Sequence, residues 1–99
     1  MKNNSLSIYS FYRFVLIKNK SGLKEQLDKY LLDYVVKGTI LLADEGINGS
    51  ISGKEDDLKK IINNLKKMLN IRKIEIKINQ TDFLPFNKMK VRLKKEIVS

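Results

Sequence analysis

Neither cysteine nor histidine occurs among the 99 residues. A disulfide framework, a thiolate nucleophile, a Cys/His zinc site and imidazole acid–base chemistry are therefore all excluded. One proline and five glycines are too few for a collagen-like or low-complexity linker composition. No apolar run approaches the ~20 residues that cross a bilayer as a helix. The first 22 residues hold Lys2, Arg13, Lys18 and Lys20 without an apolar core or a small-residue cleavage site, so no secretory signal is expected. These absences predict a cytoplasmic protein with no membrane partner, no metal and no cofactor.

Negative charge is also scarce. Eleven Asp and Glu stand against 20 Lys and Arg, a formal net charge of +9, which is the electrostatic footprint of a polyanion binder. Only Arg13, Arg72 and Arg92 are arginines; a chain so dependent on lysine is better suited to phosphate backbone than to reading bases. An A- and T-rich genome would give the same wealth of Lys, Ile and Asn, so charge alone leaves polyanion binding open. The net charge by segment is +4 over 1–22, −2 over 23–53, +4 over 54–79 and +3 over 80–99. Lys88, Lys90, Arg92, Lys94 and Lys95 form the densest basic cluster.

With 42% hydrophobic residues the chain should fold around one core. Ser7 to Ile17 carries Ile8, Tyr12, Phe14 and Leu16 on one face and Tyr9, Phe11, Val15 and Ile17 on the other, the pattern of a central strand buried on both sides. Leu23, Leu27, Tyr30, Leu31 and Tyr34 recur at helical spacing, predicting a helix over Ser21–Val35 with Ser21 as cap and Lys37-Gly38 as terminator. Thr39–Ala43 and Ser50–Ser52 read as an antiparallel hairpin with a six-residue tip, Asp44 to Gly49. Ser52-Gly53-Lys54-Glu55 matches a capping box, and Asp56 and Asp57 suit the first turn of a second helix. That helix has Leu58, Ile61, Ile62, Leu65, Met68 and Leu69 on one face and ends near Asn70. Ile74, Ile76 and Ile78 alternate with charged residues, as in a strand with one face in the core.

The order is β-α-β-β-α-β. It predicts an α+β, ferredoxin-like sandwich over residues 1–80, an antiparallel sheet with two helices on one face. Residues 81–99 read as an extended basic C-terminal tail, or linker, able to add an edge strand. Its outward lysines suit either a solvated edge that blocks aggregation or contact with RNA phosphates or an acidic neighbouring domain.

Glu45-Gly46-Ile47-Asn48-Gly49 contains two glycines and an asparagine, so it can form a hairpin turn or a nest of backbone amides. It lacks the Gly-Lys-Ser/Thr ending of a P-loop and the spacing of a dinucleotide fingerprint. Asp44 and Glu45 are chain neighbours that point apart, a poor acid–base pair.

Two long motifs carry a resemblance. Lys37-Gly38-Thr39-Ile40-Leu41-Leu42-Ala43-Asp44-Glu45-Gly46-Ile47-Asn48-Gly49-Ser50, followed by Pro85-Phe86-Asn87-Lys88-Met89-Lys90-Val91-Arg92-Leu93-Lys94-Lys95-Glu96-Ile97-Val98, resembles the N-terminal domain of the rhodanese-containing tRNA uridine hydroxylase family. The resemblance implies an acylphosphatase-like fold and, for the whole enzyme, oxygen-dependent 5-hydroxylation of a wobble uridine. It singles out Glu45, Gly46, Asn48 and Gly49 as matching the family's loop. The catalytic cysteine it implies lies in a rhodanese-like domain and has no counterpart here, so the chain is expected to be non-catalytic alone, with no catalytic residue of its own. Acyl phosphate hydrolysis is not expected either: Ile17-Lys18-Asn19-Lys20-Ser21-Gly22 has no arginine and one glycine, unlike the phosphate loop of that enzyme. The expected partners are tRNA, through Lys88, Lys90, Arg92, Lys94 and Lys95, and the rhodanese-like domain. Alternatively, the domain only packs on that neighbour, with Phe83, Leu84, Phe86, Met89 and the basic tail as interface.

Overall fold

The computed structural model describes residues 6–83 and 85–95. The elements are β1 (Leu6–Phe14), α1 (Lys20–Leu31), β2 (Val36–Ala43), β3 (Gly46–Lys54), α2 (Glu55–Leu69), β4 (Glu75–Thr81) and β5 (Met89–Leu93). The strands form one sheet in the order β4-β1-β3-β2-β5. The first four pair antiparallel, and β5 joins the β2 edge in parallel. This is the expected α+β sandwich with a fifth strand, which makes the sheet mixed.

Both helices cover the same face, α2 over β1 and β3, α1 over β2 and β5. Leu23, Leu27 and Leu31 from α1 and Leu58, Ile61, Ile62 and Leu65 from α2 meet Tyr9, Phe11, Ile40, Leu42, Ile47 and Ile51 from the sheet, all buried. Val91 of β5 belongs to that core. At the start of α2, Glu55 ties helix to sheet: Ser7 Oγ donates to Oε1 at 3.3 Å and Tyr9 OH to Oε2 at 3.5 Å. Burial, followed by the charge of Glu55, raises the Tyr9 pKa.

Several local expectations are corrected. Strand β1 ends at Phe14, three residues before Ile17, and it is central but not buried on both sides: Tyr12, Phe14 and, just beyond it, Leu16 are exposed. In a two-layer sandwich the helices cover one sheet face only. Ile76 and Ile78 are also 36% and 48% exposed, because β4 lies at the edge beyond α2; Ile74 alone of that series is buried. Helix α1 starts earlier, with Asn19 as cap: its Oδ1 accepts from the Gly22 amide at 3.1 Å, and Ser21 sits inside the helix. It stops at Leu31 without a glycine cap, the C-cap being Leu32.

Gly38 is a strand residue. Its φ of +132° and a Cβ that would collide with the Ser50 carbonyl oxygen explain why the position is glycine. The hairpin tip is shorter than expected, only Asp44 and Glu45, since Gly46 to Gly49 already pair with β1 and β2. No capping box forms at Ser52: it is buried inside β3, its Oγ without a hydrogen-bond partner among the described residues, and the cap of α2 is Lys54, which makes no side-chain bond. Asp56 and Asp57 do occupy the first turn, and α2 ends as expected at Asn70, in the left-handed conformation.

Candidate nucleic-acid interface

The register fixes what the uncovered face presents, because residues across from one another share a side of the sheet. One row runs Lys77, Ser10, Ser50, Thr39, Lys90, from the β4 edge to the β5 edge. The next runs Glu75, Tyr12, Asn48, Leu41, Arg92. Hydroxyls occupy the middle of the first row, with Ser10 Oγ and Ser50 Oγ 3.0 Å apart. Cations stand at both of its ends, four strand spacings apart, which is about 19 Å. Ser10, Tyr12, Asn48, Ser50, Glu75 and Lys77 surround a depression of ≈ 400 Å³. Glu75 is the one carboxylate in these two rows, and Arg13 Nη1 pairs with it at 3.2 Å.

The predicted basic residues gather at the β5 edge. Lys90 and Arg92 are exposed on β5, beside Thr39 and Leu41. Lys88 and Lys94 bracket the strand: the Lys88 carbonyl accepts from the Gly38 amide at 2.8 Å, and the Lys94 amide donates to the Leu42 carbonyl at 2.8 Å. Lys94 O also accepts from Lys20 Nζ at 3.0 Å. Lys95 follows in an exposed bend. Pro85, Phe86, Asn87 and Lys88 line a second depression with Gly38, Thr39 and Lys90, of ≈ 440 Å³. The segments 37–50 and 85–95, far apart in the chain, are thus neighbours in the sheet.

Glu45, Gly46, Asn48 and Gly49 do not converge as a loop site. Glu45 is in the turn, where its carbonyl accepts from the Val15 amide at 3.0 Å, and the Asp44 carbonyl accepts from Ile17 at 2.9 Å. Lys20 pairs with Asp44 at 3.3 Å. Gly46 and Gly49 serve close packing: a Cβ would meet the Arg13 carbonyl oxygen at Gly46, and the Thr39 carbonyl and the Phe11 ring at Gly49. Asn48 shares the open face with Tyr12.

Sequence reasoning missed Lys77, Tyr12 and Phe14. Part of their signal was available: a βαββαβ sandwich has one uncovered sheet face, and the alternation of β1 puts Tyr12 and Phe14 on the face opposite Tyr9 and Phe11, but it does not say which of the two the helices cover. Of the apolar residues weighed as interface, Phe83 is 63% exposed, Phe86 is half-buried, Met89 packs on the core, and Leu84 lies outside the described residues. Among the described residues no helix is long and apolar enough to cross a membrane.

Comparison with known proteins agrees with this architecture. The UPF0176 acylphosphatase like domain matches residues 6–97. A protein of Pelagibacter ubique named tRNA uridine(34) hydroxylase is 41% identical over 92 residues, 92% of this chain and 31% of its own length. One of the same name from Rickettsia bellii is 42% identical over 97 residues, 98% of this chain and 39% of its own length. The chain therefore spans only about a third of the relatives it matches. In fold it is similar to the BLUF protein BlrB, with a TM-score of 0.67 at 11% identity over 94% of this chain and 75% of that one. It is also similar to a segment of full-length HypF, with a TM-score of 0.55 at 16% identity over 90% of this chain and 12% of that one.

Proposed function

The chain belongs to the UPF0176 acylphosphatase-like domain family, and from that premise we propose that it is the non-catalytic N-terminal domain of a tRNA-modifying enzyme, cytoplasmic, whose own task is to hold tRNA. The whole enzyme is assigned hydroxylation of uridine 34, the reaction named for its relatives, with the chemistry in a rhodanese-like domain that supplies the cysteine absent here. The observation that carries the tRNA role is the β5 edge. Lys88, Lys90, Arg92 and Lys94 recur every second residue, and Lys90 and Arg92 share one side of the sheet. An array of lysines on a rigid strand suits the sequence-independent attraction of phosphates.

The test is titration of the chain with tRNA at several salt concentrations, for the parent and for a variant with Lys88, Lys90, Arg92 and Lys94 changed to Ser. The parent should bind more weakly as salt rises, and the variant should lose about 0.7–0.9 of the logarithmic salt slope for each phosphate contact removed. Equal affinity and equal slope in both proteins would refute the role. The exposed Leu32 and Val35 after α1, 82% and 72% accessible, favour a second reading, in which the domain only packs on the remainder of the enzyme, without RNA contact; in that case it would bind no tRNA at low salt.

A further inference from the structure

We propose that the open face of the sheet is a site for two or three unpaired nucleotides of RNA, with Tyr12 and Phe14 as base-stacking platforms and Lys77, Lys90 and Arg92 as phosphate contacts. This rests on the reading that the domain meets RNA, and deepens it by naming the class of RNA and the surface.

The first support is the position of the two rings. Tyr12 and Phe14 are 41% and 54% exposed on a central strand, on the face without helices. They form an edge-to-face pair, centroids 6.2 Å apart and planes at 70°, so each keeps a π face that the other does not occupy. A base stacked on such a ring covers apolar area without sequence preference, which is how four-stranded sheets and open barrels hold single strands. Alternate residues on a strand are about 7 Å apart, so the two rings can serve successive bases.

The second support is the chemistry around the rings. A face built to pack on another protein domain would be apolar throughout its centre, but here Tyr12 and Leu41 stand among Ser10, Ser50, Asn48 and Thr39, groups that hydrogen-bond base edges and ribose hydroxyls. Cations lie at both edges, Lys77 on β4, Lys90 and Arg92 on β5, and Lys37 stands one row from Thr39 on β2. The single carboxylate of the two central rows, Glu75, is already paired with Arg13. Bases in a duplex are stacked on one another and cannot lie on a protein ring, whereas unpaired bases can splay out and stack on Tyr12 and Phe14, so the ligand these rings suit is single-stranded.

The experiment is fluorescence anisotropy of the 99-residue protein with a labelled five-nucleotide oligouridine, with tRNA, and with a duplex of equal length. Y12L and F14L should each weaken oligouridine binding about tenfold, the effect of losing one stacked base, with the salt slope unchanged. Y12F should bind like the parent, and the duplex should not compete. Both side chains are exposed, and a thermal melt of each variant confirms that the fold is kept. If tRNA binds but Y12L and F14L bind both RNAs like the parent, the platform is refuted and the tRNA role stands. If oligouridine binding responds to the ring variants but tRNA is not bound, the platform stands and the tRNA role falls. Binding of neither RNA overturns both.

Discussion

Lys90 lies directly across from Thr39 in the parallel ladder that joins β5 to β2, although 51 residue positions separate them in the chain. That pairing makes the basic segment part of the sheet, held in line by the Gly38 to Lys88 bond at one end and the Lys94 to Leu42 bond at the other. Its anchor is Val91, 6% exposed under α1.

Val91→Ala removes most of that anchor. It is expected to destabilise the domain by roughly 1–2 kcal/mol, and to speed hydrogen exchange at the Gly38 and Lys94 amides more than at amides shared by β1 and β3. Amide exchange read by NMR checks this; uniform acceleration across the sheet would mean that β5 does not open separately.

Gly38→Ala should cost more than about 2 kcal/mol. The positive φ is strained for alanine, and the new Cβ meets the Ser50 backbone, which cannot move without breaking the β2–β3 ladder. Urea unfolding measures it, and a loss under about 1 kcal/mol would contradict the close approach.

Three substitutions separate the helix starts seen here from those a reading of the sequence would choose. Asn19→Ala should lose about 1 kcal/mol by removing the cap of α1, whereas Ser21→Ala should be neutral within about 0.5 kcal/mol. Ser52→Ala should be neutral or stabilising, because the buried hydroxyl has no partner to lose. Loss of about 1 kcal/mol from Ser52→Ala would instead restore the capping box.

Alkali should unfold the domain through its tyrosines. Burial, then the hydrogen bond to Tyr34, raises the Tyr30 pKa, and burial likewise raises that of Tyr9. The unfolded groups ionise near pH 10, so above that pH the unfolded chain binds fewer protons than the native one and stability falls as pH rises. The contribution is fully present below about pH 10. Denaturant unfolding at pH 8, 10 and 11 should show a flat region followed by a decline, shallower in Tyr30→Phe; an identical decline in that variant would remove Tyr30 as a cause.

Much of this molecule was determined by the sequence itself. The stripe from Leu58 to Leu65, the period-three-and-four series from Leu23 to Leu31, and the apolar run Ile40–Ala43 each state their conformation locally, because helix and strand differ in the spacing at which they present side chains to one side. Their order then leaves few topologies. Where charge accumulates along the chain was equally readable, since it depends only on the order of the residues. What only the tertiary structure decided is which side of each strand is covered. Tyr9 and Tyr12 are chemically alike and lie in one strand, yet one is buried under α2 and the other is exposed on the open face, a difference set by the placement of the helices. The caps moved for a related reason: Asn19 and Ser21 are both able caps, and Ser52 is a capable one that the sheet claims for β3 to extend its pairing with β1 and β2. The two long motifs were legible as segments, but that 37–50 and 85–95 lie side by side, with the basic residues on the edge strand β5 next to β2, follows from a long-range parallel pairing that no local pattern encodes.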